Sequence, residues 1–136
     1  KHLDQAHHNF GFFKNLQAAF PKRYNDWKVT VLFYTALHAI EAIAEHKKID
    51  LGDSHKDREK AIKPGSSIMP VSQSVFNHYR YIKKASVDCR YVAPFNRKTM
   101  DEFLEKDIHS SKLSIKCIAE YVEKQCGLDC EILKAA

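Results

Sequence analysis

The stretch Asp26–His46, DWKVTVLFYTALHAIEAIAEH, constrains the fold more than any other part of the chain. It is the longest apolar run, contains neither Gly nor Pro, and as a helix would make a rod of roughly 30 Å. Asn25 or Asp26 can cap its start through a side-chain oxygen. Val29, Leu32, Phe33, Ala36, Ala39, Ile40 and Ile43 cover most of its circumference. A helix that apolar must be surrounded by others. Thr30, Thr35, His38 and Glu41 interrupt it, which argues against a membrane span. Trp27, Val31, Tyr34, His38, Glu41 and Glu45 recur at alternating spacings of four and three and so share one face. That face reads as one that does more than pack.

The flanking sequence supplies the surrounding helices. Leu3, Ala6, Phe10, Phe13, Leu16 and Phe20 fall on one face of a helix over 1–20, which Pro21 closes. Gly52 marks a turn, Ser54-His-Lys-Asp57 is a capping signature for a short helix, and Pro64-Gly65 stops that helix. A further helix is predicted from Pro70 to about Arg90, carrying Val75, Tyr79, Ile82 and Ala85. Thr99-Met-Asp-Glu102 is a second capping box and predicts the start of the last helix, with Leu104, Ile108, Ser111, Ile115, Ile118 and Val122 as its stripe. Gly127 suits a left-handed C-terminal position. No strand alternation and no repeat is present. The pattern predicts an all-α, up-and-down bundle of four long helices plus one short helix, a single domain over 1–136.

The 136 residues with 44% hydrophobic content suffice for one core. Starting at Lys1 and lacking a signal-peptide pattern, the chain reads as an ordered fragment. Cys89, Cys117, Cys126 and Cys130 read as reduced thiols in a cytoplasm. The C-x-x-x-C of Cys126 and Cys130 has no second ligand pair, so no metal and no cofactor is implied.

Several chemistries are excluded by spacing. No Glu has a His three residues later, as a di-iron bundle requires. No two glycines lie close enough for a phosphate loop, no nucleophile elbow is present, and His-x-x-x-His does not occur. What remains is a scattered polar set: His38 on the buried helix, His55 and Arg58 three apart on the short one, and a basic segment from Phe76 to Lys98. That segment holds Arg80, Lys83, Lys84, Arg90, Arg97 and Lys98 against Asp88 alone, an excess equal to the +5 net charge of the whole chain. Tyr79, Tyr81, Tyr91 and Phe95 are interleaved with those charges. Cations among aromatic faces suit unpaired nucleotides, which stack on rings while phosphates meet charges. The alternative is a solvated face whose tyrosines pack inward, with His38 a hydrogen-bonded core histidine.

Asp26-Trp27, Phe33-Tyr34-Thr35-Ala36-Leu37-His38, Ser54-His55-x-x-Arg58, Ser86-x-x-x-Arg90-Tyr91 and the early Ala6-His7-His8-Asn9 together resemble the helical HEPN domains (higher eukaryotes and prokaryotes nucleotide-binding). The resemblance covers most of the chain from Ala6 onward. It implies a bundle of four or five helices, homodimerisation, and nucleotide or RNA chemistry, with many members acting as toxin–antitoxin components or metal-independent ribonucleases. The ribonuclease members carry an Arg followed four to six residues later by a His, and no Arg here has a His at that distance.

Three functions follow as expectations. The first is a non-cleaving module that binds nucleotide or single-stranded RNA through Arg80, Tyr81, Lys83, Lys84, Arg90 and Tyr91. The second is a metal-independent ribonuclease with His38 or His55 as acid–base and Arg58 or Arg90 holding the phosphate. The third is a partner-binding bundle whose polar set is a buried network.

Overall fold

The computed structural model describes residues 1–91 and 97–134. It contains α1 (His2–Ala19), α2 (Asn25–Lys47), α3 (His55–Ile62), α4 (Gln73–Tyr91), α5 (Arg97–Cys126) and the single-turn α6 (Glu131–Lys134), with no strand among the described residues. This is the all-α bundle that the apolar periodicities require. Phe95 and the side chains of Arg97 and Lys98 lie outside the described residues.

α2 is the hub, packed by α1, α4 and α5. Val29, Leu32, Phe33, Ala36, Ala39, Ile40 and Ile43 are all buried in one continuous core. Consecutive long helices run in opposite directions. His2 at the start of α1 meets Glu45 near the end of α2, and Cys89 at the end of α4 meets Thr30 near the start of α2. α5 runs against α4, as Tyr81–Asp107 and His78–Ser114 show. In consequence α2 and α5 lie parallel and in direct contact, with Asn25 beside Asp101 at one end and Lys47 beside Gln125 at the other.

Some helix ends follow the local sequence and others overrule it. Ser54 caps α3, its hydroxyl accepting the Asp57 N–H, and Gly127 takes φ +67° beyond α5. Gly52 sits at φ +89°, where a Cβ would stand 2.6 Å from that of Asp57. α4 starts at Gln73 rather than Pro70, because the N–H groups of Met69 and Val71 go instead to the carbonyls of Ala61 and Ile62. α5 is already running at Arg97, so the Thr99 box lies inside it. Asp101 of that box serves another helix: its Oδ1 accepts the Asn25 N–H at 3.0 Å. Neither Asn25 nor Asp26 caps α2. The cap position is Tyr24, left-handed at φ 60°, without a side-chain bond. Phe20 does not join the core; it is 39% exposed and edge-on to Tyr24.

Candidate functional site

Arg58 is the centre of the polar network that the bundle builds on one side of α2. Ala61 and Ile62 are buried, and this anchors α3 so that Arg58 points inward. Its Nε donates to Glu41 Oε1 at 2.7 Å, with both side chains largely buried. Burial opposes the guanidinium charge, but the Glu41 hydrogen bond, together with Tyr79 and the Glu41 charge, outweighs it and raises its pKa. The guanidinium also faces the Tyr79 hydroxyl, which makes no hydrogen bond of good geometry. Burial pushes that phenol up to about 12.

A second nitrogen of Arg58 fixes His55. Arg58 Nη1 lies 3.2 Å from His55 Nδ1. A guanidinium can only donate, so Nδ1 is the acceptor and the neutral ring carries its proton on Nε2. Burial lowers the His55 pKa, and the charges of Arg58, Lys83 and Arg90 lower it further. His55 is thus a neutral ring set among cations, with an N–H to offer and no free basic nitrogen. Its ring leans on Phe33 and Tyr34 at centroid distances of 5.6 and 6.4 Å.

His38 is half-buried on α2, and its direct partner is His2 of α1. The two Nδ1 atoms stand 3.0 Å apart with the rings stacked, so one ring must donate and the other accept. Burial lowers the His38 pKa, with His2 the next contribution. Arg58 reaches His38 through its field and not by a hydrogen bond. The sequence missed His2, because nothing local marks a pairing 36 residues apart. Arg90 turns back to its own helix, donating to the Ser86 carbonyl and lying over the Tyr91 ring at 5.5 Å.

The basic face on α4 is organised differently from a simple row of charges. Arg80 and Lys83 share Glu59 at 3.0 and 2.7 Å, and Lys84 pairs with Asp88 at 2.7 Å. Tyr81 is 38% exposed and donates to Asp107, while Tyr91 is 76% exposed. α3 adds three lysines that the sequence reading overlooked. Lys56, Lys60 and Lys63, with Arg80 and Lys83, line an open cleft of about 570 Å³ between α3 and α4, whose wall also includes His55, Phe76 and Glu59. Lys56 and Lys60 lie four apart on the eight-residue helix and Lys63 follows three further on at its C-cap, a spacing that turns all three to one side and was the signal available in the sequence.

Two other polar groupings are structural. Lys28 is fully buried, its Nζ bonded to the Phe20 carbonyl and Asn25 Oδ1, and it ties the α1–α2 connection to the start of α2. Burial lowers its pKa, against the pull of Asp101 and Glu105. Glu123, Asp129 and Glu131 gather their carboxylates at the α5–α6 turn, but Glu123 is engaged by Lys134 Nζ and the Cys130 N–H. All four cysteines are free thiols. No described helix is long and apolar enough to cross a membrane.

These features define an all-α bundle with a cation-lined cleft beside a Glu41–Arg58–His55 network that runs from the buried Arg58 out to the exposed His55. No family model, curated protein or solved structure matches the chain.

Proposed function

We propose that this chain is a HEPN-like helical module that binds single-stranded RNA or nucleotide without cleaving it, through the cleft between α3 and α4. One observation carries the reading: five cations surround a single open cleft that holds only one acid. Glu59 is shared by Arg80 and Lys83, so it cancels at most one charge, and Lys56, Lys60 and Lys63 have no acidic partner among the described residues. Like charges held together repel, and a run of phosphates relieves that repulsion while releasing counterions. Lys84, Tyr81, Arg90 and Tyr91 extend the same reading along α4.

Binding rather than cleavage is favoured by His55. Acid–base attack by a 2′-hydroxyl needs a nitrogen able to take a proton, and the basic nitrogen of His55 is occupied by Arg58. The missing Arg-to-His spacing points the same way. The test is anisotropy of a labelled oligouridine RNA at low and high salt, with gel analysis of the same mixtures in EDTA. Binding at low salt that weakens with salt, and intact RNA, is the expected result. Absence of low-salt binding would remove the nucleic-acid reading. EDTA-resistant cleavage that His55→Ala abolishes would replace it with the ribonuclease reading. The resemblance also implies a homodimer, which light scattering on the purified chain tests, and a toxin–antitoxin setting; the cytoplasmic reading rests on the four free thiols, and a protein partner belongs to the partner-binding reading.

A further inference from the structure

The exposed side of α2 is unusual for the central helix of a bundle. Positions Trp27, Val31, Tyr34, His38, Glu41 and Glu45 form the least covered stripe of α2, met by α1 only at its far end, where His2 touches His38 and Glu45, and by α3 at Tyr34 and Glu41. Trp27 is 59% exposed, Val31, Tyr34, His38 and Glu41 are half-buried, and Glu45 is exposed. Elsewhere on α2 fourteen residues are buried. An exposed tryptophan forgoes the burial that so large an apolar ring could gain, and aromatic rings left at a surface mark recognition sites more often than scattered aliphatic ones do.

The stripe is joined to the cationic cleft. His55 belongs to both: it lines the cleft with Lys56, Lys60 and Arg80, and its ring stands against Tyr34. Trp27, Val31, Tyr34 and His38 include no acid, and the acid nearest that junction, Glu41, is neutralised by Arg58. Seven residues separate Trp27 from Tyr34, about 10.5 Å along the axis. Two rings therefore stand apart on one face, beside a patch that attracts phosphates.

From this arrangement we infer that the α2 stripe is a base-stacking platform: unpaired bases of a single strand lie on Trp27 and Tyr34, while the adjoining backbone is held in the α3–α4 cleft and His55 donates its Nε2–H to the strand where it crosses. This rests on the nucleic-acid reading above and adds where the bases go. The occupant is single-stranded rather than duplex, because paired bases keep their faces within the stack and cannot lie on a protein ring.

Trp27 is the sole tryptophan, so the chain carries its own reporter. The experiment titrates the intact chain with a labelled ten-nucleotide oligouridine RNA and with the duplex of the same length, reading label anisotropy and intrinsic tryptophan fluorescence together. The expected result is quenching that saturates with the anisotropy for the single strand and is absent for the duplex. Trp27→Ala should weaken single-strand binding by roughly 5- to 150-fold, the range for loss of one stacked base, while Trp27→Phe retains most of it. The exposure of Trp27 means that neither variant should unfold. Binding by anisotropy with unchanged fluorescence, or wild-type affinity in Trp27→Ala, would overturn the platform and leave the cleft reading standing. Equal quenching by duplex would also overturn it. Absence of anisotropy change with either ligand would remove both readings.

Discussion

Replacing Arg58 by Met tests the network that links the core to the candidate site. The substitution retains side-chain length and apolar packing but deletes the guanidinium. Glu41 then loses its 2.7 Å partner, His55 Nδ1 loses its donor, and Tyr79 loses the cation that faces it. The side chains of Arg58 and Glu41 are 11% and 15% exposed, so the stranded carboxylate has little water to turn to. Breaking a fully buried pair from one side costs about 3–5 kcal/mol, and the residual exposure here places the loss at about 2–3 kcal/mol. Removing both charges with Arg58→Met and Glu41→Leu should recover most of it, since an apolar pair of similar volume avoids the desolvation penalty. Urea unfolding of the wild type, both single variants and the double variant gives the coupling energy, expected at about 1–3 kcal/mol. A loss under about 0.5 kcal/mol for Arg58→Met would refute the reasoning, as it would mean that Glu41 is solvated and the pair merely superficial.

Three further outcomes follow. Ile40→Ala should cost about 2–5 kcal/mol by leaving a cavity beside fully buried neighbours, whereas Phe12→Ala, at a 53% exposed position, should stay within about 0.5 kcal/mol; thermal melts distinguish them. Asp101→Ala should cost about 1 kcal/mol by uncapping the Asn25 N–H, and Asp101→Asn, which keeps an acceptor oxygen, should cost less in the same denaturant assay. Stability should decline as pH falls below about 6.5. His38 and His55 both have lowered pKa values, burial being the first cause, so the unfolded chain binds more protons and the stability present above that pH is lost below it. Replacing both by Gln should flatten this part of the profile.

The sequence shows most of the fold because helix formation here is written at short range. The periods of α1, α2, α4 and α5, the Ser54 cap and the left-handed Gly127 each depend on residues within a turn or two. What it hides depends on contacts across the chain. Asp101 looks like part of its own helix's capping box, but its carboxylate serves Asn25, 76 residues away. The His2–His38 pair and the sharing of Glu59 by Arg80 and Lys83 are equally non-local. The site was legible in its residue types and not in its layout. Reading the basic segment as a property of α4 alone overlooked Lys56, Lys60 and Lys63, whose turn to one side gains meaning only when α3 is laid against α4. α6 escaped notice because a four-residue helix has no period to detect; it forms because Leu133 is fully buried.

The central claim is that the cations of the α3–α4 cleft meet phosphates, and the salt dependence of single-strand binding tests it most directly. If four of the five cleft cations contact phosphates, the slope of log K against log salt should be about −3, at roughly −0.7 for each contact on a single strand. Lys60→Ala should reduce that slope by about 0.7 and weaken binding to all sequences alike. A slope near zero, or one that Lys56→Ala, Lys60→Ala and Lys63→Ala together leave unchanged, would contradict the account.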